Sequence, residues 1–125
     1  MALIHFRDGG DWFNPNWVFR RFRADISEDV PEDVELRQEM EKAEAFGLLP
    51  LDSIDPLLAS RILRAMRTVA QKTIDGRIPG WRGARPDDRD VQRMYLEAMS
   101  ELLALLRRQP DGECAEIAPG GRTGP

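Results

Sequence analysis

Glu35 and Glu39, four residues apart, and Glu41 and Glu44, three apart, have the spacing by which a helix turns carboxylates to one side. Helical bundles use such pairs to hold divalent ions when a facing helix adds carboxylates of its own. Here Glu97 and Glu101 fall on the polar side of the last predicted helix, and the helix between offers no acid on its apolar side. The glutamates therefore read as a solvated acidic face. A metal-dependent helical hydrolase built on them ranks last of three functional readings.

Nucleophilic catalysis finds less support. His5 is the only imidazole base, Cys114 stands far along the chain, and Ser27, Ser53, Ser60 and Ser100 have no base at a readable spacing. The glycine pairs at Gly9 and Gly10 and at Gly80 and Gly83 do not follow a buried strand, as a phosphate loop would require. No enzyme activity, cofactor or resident metal is expected.

Arginine interleaved with aromatic residues is the stronger signal. Arg20, Arg21 and Arg23 alternate with Trp17, Phe19 and Phe22, and Arg77, Trp81, Arg82 and Arg85 repeat the combination in a glycine- and proline-rich segment. Guanidinium groups beside aromatic planes can engage phosphates and stack on bases, which supports a nucleic-acid-associated regulator as the second reading. The same residue types dominate protein interfaces, because they join large contact area to directional donors. The favoured reading is a non-enzymatic protein-interaction module. A regulator, adaptor or inhibitor of a partner protein is its sharper form, with an immunity or antitoxin protein that masks a basic surface as one case. Its expected contact residues are Trp17, Arg21, Arg77, Trp81, Arg82 and Arg85, with Glu35, Glu39 and Glu41 as a second, acidic surface. Another protein is the expected partner, and homo-oligomers are compatible with the same surfaces.

Charge is unevenly distributed along the chain. The net charge is −4, yet eight acids face only Arg37 and Lys42 between Ser27 and Glu44. A basic strip of Arg61, Arg64 and Arg67 follows on the next helix. If those arginines face Glu35, Glu39 and Glu41, the segregation is internal; if not, both surfaces await a partner. One cysteine leaves no internal disulfide and fits a reducing, cytoplasmic setting. No apolar run approaches the ~20 residues of a membrane span, and the first residues do not read as a secretory signal.

The elements that carry these residues are mainly α: a small bundle of three long helices and a short aromatic one, after a brief extended amino terminus at residues 2–6. The clearest helix runs from Asp55 to Gly76, with Asp55 as cap, Pro56 at the first position and Gly76 at the close. Its apolar arc covers about half the circumference, enough for two neighbours. A turn at Asp8, Gly9 and Gly10 precedes a helix predicted from Pro15 to Ala24, with Asn14 as cap; a strand is the rival for this β-prone stretch. The acidic helix should start at Asp29 or Val30 and end at Gly47, burying Leu36, Met40, Ala43 and Phe46. The linker from Leu48 to Ile54 is apolar enough to pack down. The last helix follows Pro86 or Asp87, runs to Gln109, and should bury residues from Val91 and Met94 to Leu106. Residues 1–109 form one domain in this reading, and 110–125 a flexible tail in which composition supplies no core. Trp12, Trp17 and Trp81 lie off the predicted apolar faces, at the ends of the bundle or at an interface.

Overall fold

The computed structural model describes residues 1–76 and 89–109. The chain is mainly α, and its described residues form four helices and a three-stranded sheet. The expected extended amino terminus is β1 (Ala2–His5), and it is the middle strand. β2 (Asp11–Asn14) returns antiparallel to it, and β3 (Leu48–Pro50) joins its other side in parallel. Gly9 takes a φ of +93° in the connecting turn, where Asp8 Oδ1 accepts from the Gly10 amide at 2.9 Å. Strand alternation then sorts the side chains. Ala2, Ile4, Phe6, Trp12, Leu49 and Leu51 are buried against the helices, while Phe13 and Leu48 stand on the other face.

The helix α1 (Asn16–Asp29) is longer than predicted. Pro15 takes the cap position, and Asn14 belongs to β2, where its amide reaches Glu101. Beyond Ala24 the stripe of Val18, Phe19 and Phe22 continues through Asp25 and Ile26, so the helix continues until Val30, just before Pro31. The helix α2 (Val34–Phe46) consequently starts later than predicted. Its cap is Asp33, which accepts from the Leu36 amide at 3.1 Å, while Asp29 is held by Lys72 of the next helix at 2.7 Å. Leu36, Met40 and Ala43 are buried as expected, but Phe46 is 79% exposed. Gly47, at φ +75°, turns the chain directly into β3, and Leu49 and Leu51 enter the core instead. The linker thus packs down as a strand.

The helix α3 (Pro56–Ile74) has the predicted start, with Asp55 accepting from the Leu58 amide at 3.0 Å, and Gly76 at φ +75° beyond its end. It touches three helices, one more than its apolar arc suggested. The helix α4 (Arg89–Arg108) buries Tyr95, Ala98, Met99, Leu102, Leu103 and Leu106, whereas Val91 and Met94 in its first turns are exposed. Trp12 corrects a further expectation. It is 1% exposed, and its indole Nε1 donates to the Ala98 carbonyl of α4 at 3.1 Å, which pins the hairpin to the helical layer. The predicted tail at 110–125 and the arginine segment at 77–88 lie outside the described residues.

Candidate docking surface on the sheet

The charged residues settle largely among themselves. Arg61 of α3 donates to both oxygens of Asp33, at 3.2 and 3.3 Å, and to Glu35 at 2.6 Å. Glu39 pairs with Lys42 at 3.5 Å, Glu44 receives Arg20 at 3.4 Å and also Arg23, and Arg67 donates to the Leu106 carbonyl at 3.3 Å. The acids beside Arg61 hold its guanidinium above its ordinary range. Of the three glutamates expected at an acidic interface, only Glu41 has no ion pair among the described residues. Much of the charge segregation is therefore internal architecture.

Trp17 and Arg21 are brought together, but inward. Trp17, Arg21 and Asp25 repeat every four residues along α1, and Trp17 packs its ring tilted at 32° to Tyr95 of α4, centroids 6.2 Å apart. Asp25 and Tyr95 are buried. Burial first, then the charge of Asp25, pushes the Tyr95 phenol far above its ordinary range, with Arg21 opposing. This cluster joins two helices. Arg77, Trp81, Arg82 and Arg85 lie outside the described residues.

The outer face of the sheet is different. Cross-strand register places Phe13, Leu3 and Leu48 in one row, and Asp11, His5 and Pro50 in the next. Phe13 is 57% exposed and Leu48 40%. The row continues into a groove between α2 and β3, lined by Ala43, Phe46, Leu48, Pro50 and Ile54, with the Glu39 and Lys42 pair also on its wall. Among the described residues, Phe13, Phe46 and Leu48 are left uncovered here, while Ala43 forms the buried floor of the groove.

At the other end of the face His5 lies between two carboxylates. Its Nδ1 is 2.6 Å from Asp11 Oδ1, and its Nε2 is 3.2 Å from Asp52 Oδ2. The hydrogen bond to Asp11 is the largest cause that raises the imidazole pKa, and Asp52 adds to it. The two carboxylates occupy opposite ends of the ring, so they do not converge on one point. Among the described residues no three His, Cys, Asp or Glu side chains are grouped to hold a metal ion. Nor is any described helix long and apolar enough to cross a membrane.

None of Phe13, Phe46, Leu48, Asp11 and Asp52 was among the contact residues expected from the sequence, which placed Phe46 in the core and Leu48 in a packed linker. A four-residue strand and a three-residue strand are too short for alternation to register, and Phe46 continues a buried stripe by spacing alone. The chain matches no protein-family model, no curated protein and no solved structure.

Proposed function

We propose that this chain is a non-enzymatic protein-interaction module whose docking surface is the outer face of the sheet and the adjoining groove of α2 and β3. The observation that carries this reading is the exposure of Phe13, Phe46 and Leu48 on one side of a chain whose core is otherwise filled. Contiguous exposed apolar area of this kind is the usual mark of an interaction site, whereas single scattered residues are not. Its role is that of a regulator or inhibitor acting on a partner protein in the cytoplasm. The acidic helix is a poorer surface for a basic partner than its composition suggested, because Glu35, Glu39 and Glu44 already have cationic neighbours. Nucleic-acid binding loses Arg20 and Arg23 to Glu44 in the same way.

The test is capture of partners from extracts of the native host on immobilised full-length protein. The double variant Phe46→Ser, Leu48→Ser should lose the partner that wild type recovers, and Glu41→Gln should retain it. Equal recovery by wild type and the double variant, with both folded by circular dichroism, would sink the assignment of this face.

A further inference from the structure

The register of the hairpin leaves part of β2 unused. Phe6 donates to the Gly10 carbonyl at 2.8 Å, so hydrogen-bonded pairs fall at Phe6 with Gly10, Ile4 with Trp12 and Ala2 with Asn14. Leu3 and His5 instead turn their main-chain groups toward β3, as the bonds from the Leu3 amide to Gly47 and from the Leu51 amide to His5 require. By the same alternation the N–H and C=O of Asp11 and Phe13 point away from the sheet, along the outer edge of β2. Among the described residues none of these four groups has a hydrogen-bond partner. They stand beside the exposed Phe13 ring and the Asp11 carboxylate, 51% exposed, which share one sheet face; Asp52 lies on the far side of β1, at the other end of the His5 ring.

We propose that the outer edge of β2 accepts an extended segment of a partner protein, which adds a fourth strand through the main chain of Asp11 and Phe13. The segment carries an apolar residue opposite Phe13 and a lysine or arginine two positions away, opposite Asp11. This rests on the docking surface proposed above and supplies the chemistry of its occupant. Main-chain pairing gives such an addition its affinity, and alternate side chains give it selectivity. Side chains two apart on one strand share a face, so one side of the added strand meets Phe13 and Asp11 whichever way it runs. Charge fixes the second position. At the hairpin turn Asp8 has Arg108 of α4 nearby, and Arg7 is exposed, but among the described residues the one cationic partner of Asp11 is the His5 imidazole, which Asp52 shares from the far side of β1. A cation opposite Asp11 completes that balance.

A second copy of the chain fits the edge less well. The pairing that uses all four main-chain groups in an antiparallel dimer sets Asp11 of each strand opposite Phe13 of the other. That arrangement places a carboxylate against an aromatic ring and leaves both apolar and acidic positions mismatched. Two free residues also make a short edge, which suits one peptide strand better than an extended joint between folded domains.

The test uses the full chain and blocked threonine-rich peptides carrying valine and lysine two positions apart, or valine and glutamate in the same places. Binding is followed by chemical shifts, and amide hydrogen exchange is measured at Asp11, Phe13 and Leu48. The lysine peptide should bind about three- to fivefold more tightly than the glutamate peptide, in line with cross-strand pair energies. It should slow exchange at Asp11 and Phe13 but not at Leu48. Asp11→Lys should invert the peptide preference, and Phe13→Ser should weaken both peptides without unfolding the chain. Equal affinity for the two peptides, absent binding, or unprotected Asp11 and Phe13 amides overturns the proposal. Protection of those amides that grows with protein concentration in the absence of peptide also overturns it, in favour of a second copy. Loss of partner capture by the Phe46→Ser, Leu48→Ser variant, together with failure of the peptide test, rejects the strand addition and leaves the docking face standing.

Discussion

Trp12 and Phe13 are neighbours in sequence and opposites in the structure, which makes them a matched test of the sheet. Trp12 is 1% exposed and donates its indole N–H to the Ala98 carbonyl at 3.1 Å. Trp12→Phe removes that hydrogen bond, worth about 0.5–1.5 kcal/mol. The smaller ring also leaves space, which adds about 1 kcal/mol of lost burial. The expected destabilisation is therefore about 2 kcal/mol, and Trp12→Ala should cost about 3–5 kcal/mol. Phe13, more than half exposed and paired across the strands with Leu3, has much less buried surface to lose, so Phe13→Ala should cost less than about 1 kcal/mol. Urea unfolding followed by far-ultraviolet circular dichroism separates these values: with slopes of about 1–3 kcal/mol/M, the Trp12→Phe midpoint should fall by about 0.7–2 M. Midpoints that fall equally for Trp12→Phe and Phe13→Ala, or further for Phe13→Ala, refute the strand register on which the docking face depends.

His5 should titrate above the ordinary imidazole value of about 6.5, as read by its ring proton shifts in nuclear magnetic resonance. Because the folded value is the higher one, the clasp to Asp11 and Asp52 stabilises fully below the unfolded value and weakens as pH rises through the folded value; His5→Gln should flatten that part of the stability profile. Gly47→Ala should cost about 1–2 kcal/mol in thermal unfolding, and more than Gly76→Ala. Both residues lie at φ +75°, but among the described residues only at Gly47 would the new Cβ meet an atom, the Met1 carbonyl oxygen at 3.1 Å. Tyr95 is the only tyrosine, so its ultraviolet titration can be read alone. It should ionise only as the chain unfolds, and stability should fall as pH rises above the ordinary phenol value of about 10, since burial disfavours tyrosinate in the folded state. A reversible phenol titration near that value in the folded protein would contradict the packing of α1 against α4.

The helices were legible where end signals and a sustained stripe coincide. Asp55, Pro56 and Gly76 bracket α3 because a carboxylate cap, a residue without an amide and a left-handed closure each satisfy a specific backbone need. The boundary of α1 with α2 was misread because Asp29, Val30 and Pro31 mimic a start; the tertiary contact of Asp29 with Lys72 decides otherwise. Strands β2 and β3 carry too few residues for a period of two to emerge, and β3 pairs across more than forty residues with β1. Periodicity sees only neighbours along the chain. The docking face was illegible for the same reason: Phe13, Leu3 and Leu48 form a row only once three separate segments lie side by side. Arg61 illustrates the converse. Its charge was evident in sequence, but that Asp33 and Glu35 consume it became visible only in the fold.

The bond from Trp12 to Ala98 spans 86 residues, so the hairpin and the last helix can meet only after the rest of the chain has been drawn in. Closing so long a loop is slow relative to helix formation or the local β1 and β2 turn, and it yields little until the intervening helices are in place. The joint thus belongs to the last steps of assembly. Changes at Trp12 should accordingly quicken unfolding while leaving the refolding rate nearly untouched, and the lifetime of the folded chain, more than the speed with which it forms, is set where the hairpin is fastened to α4.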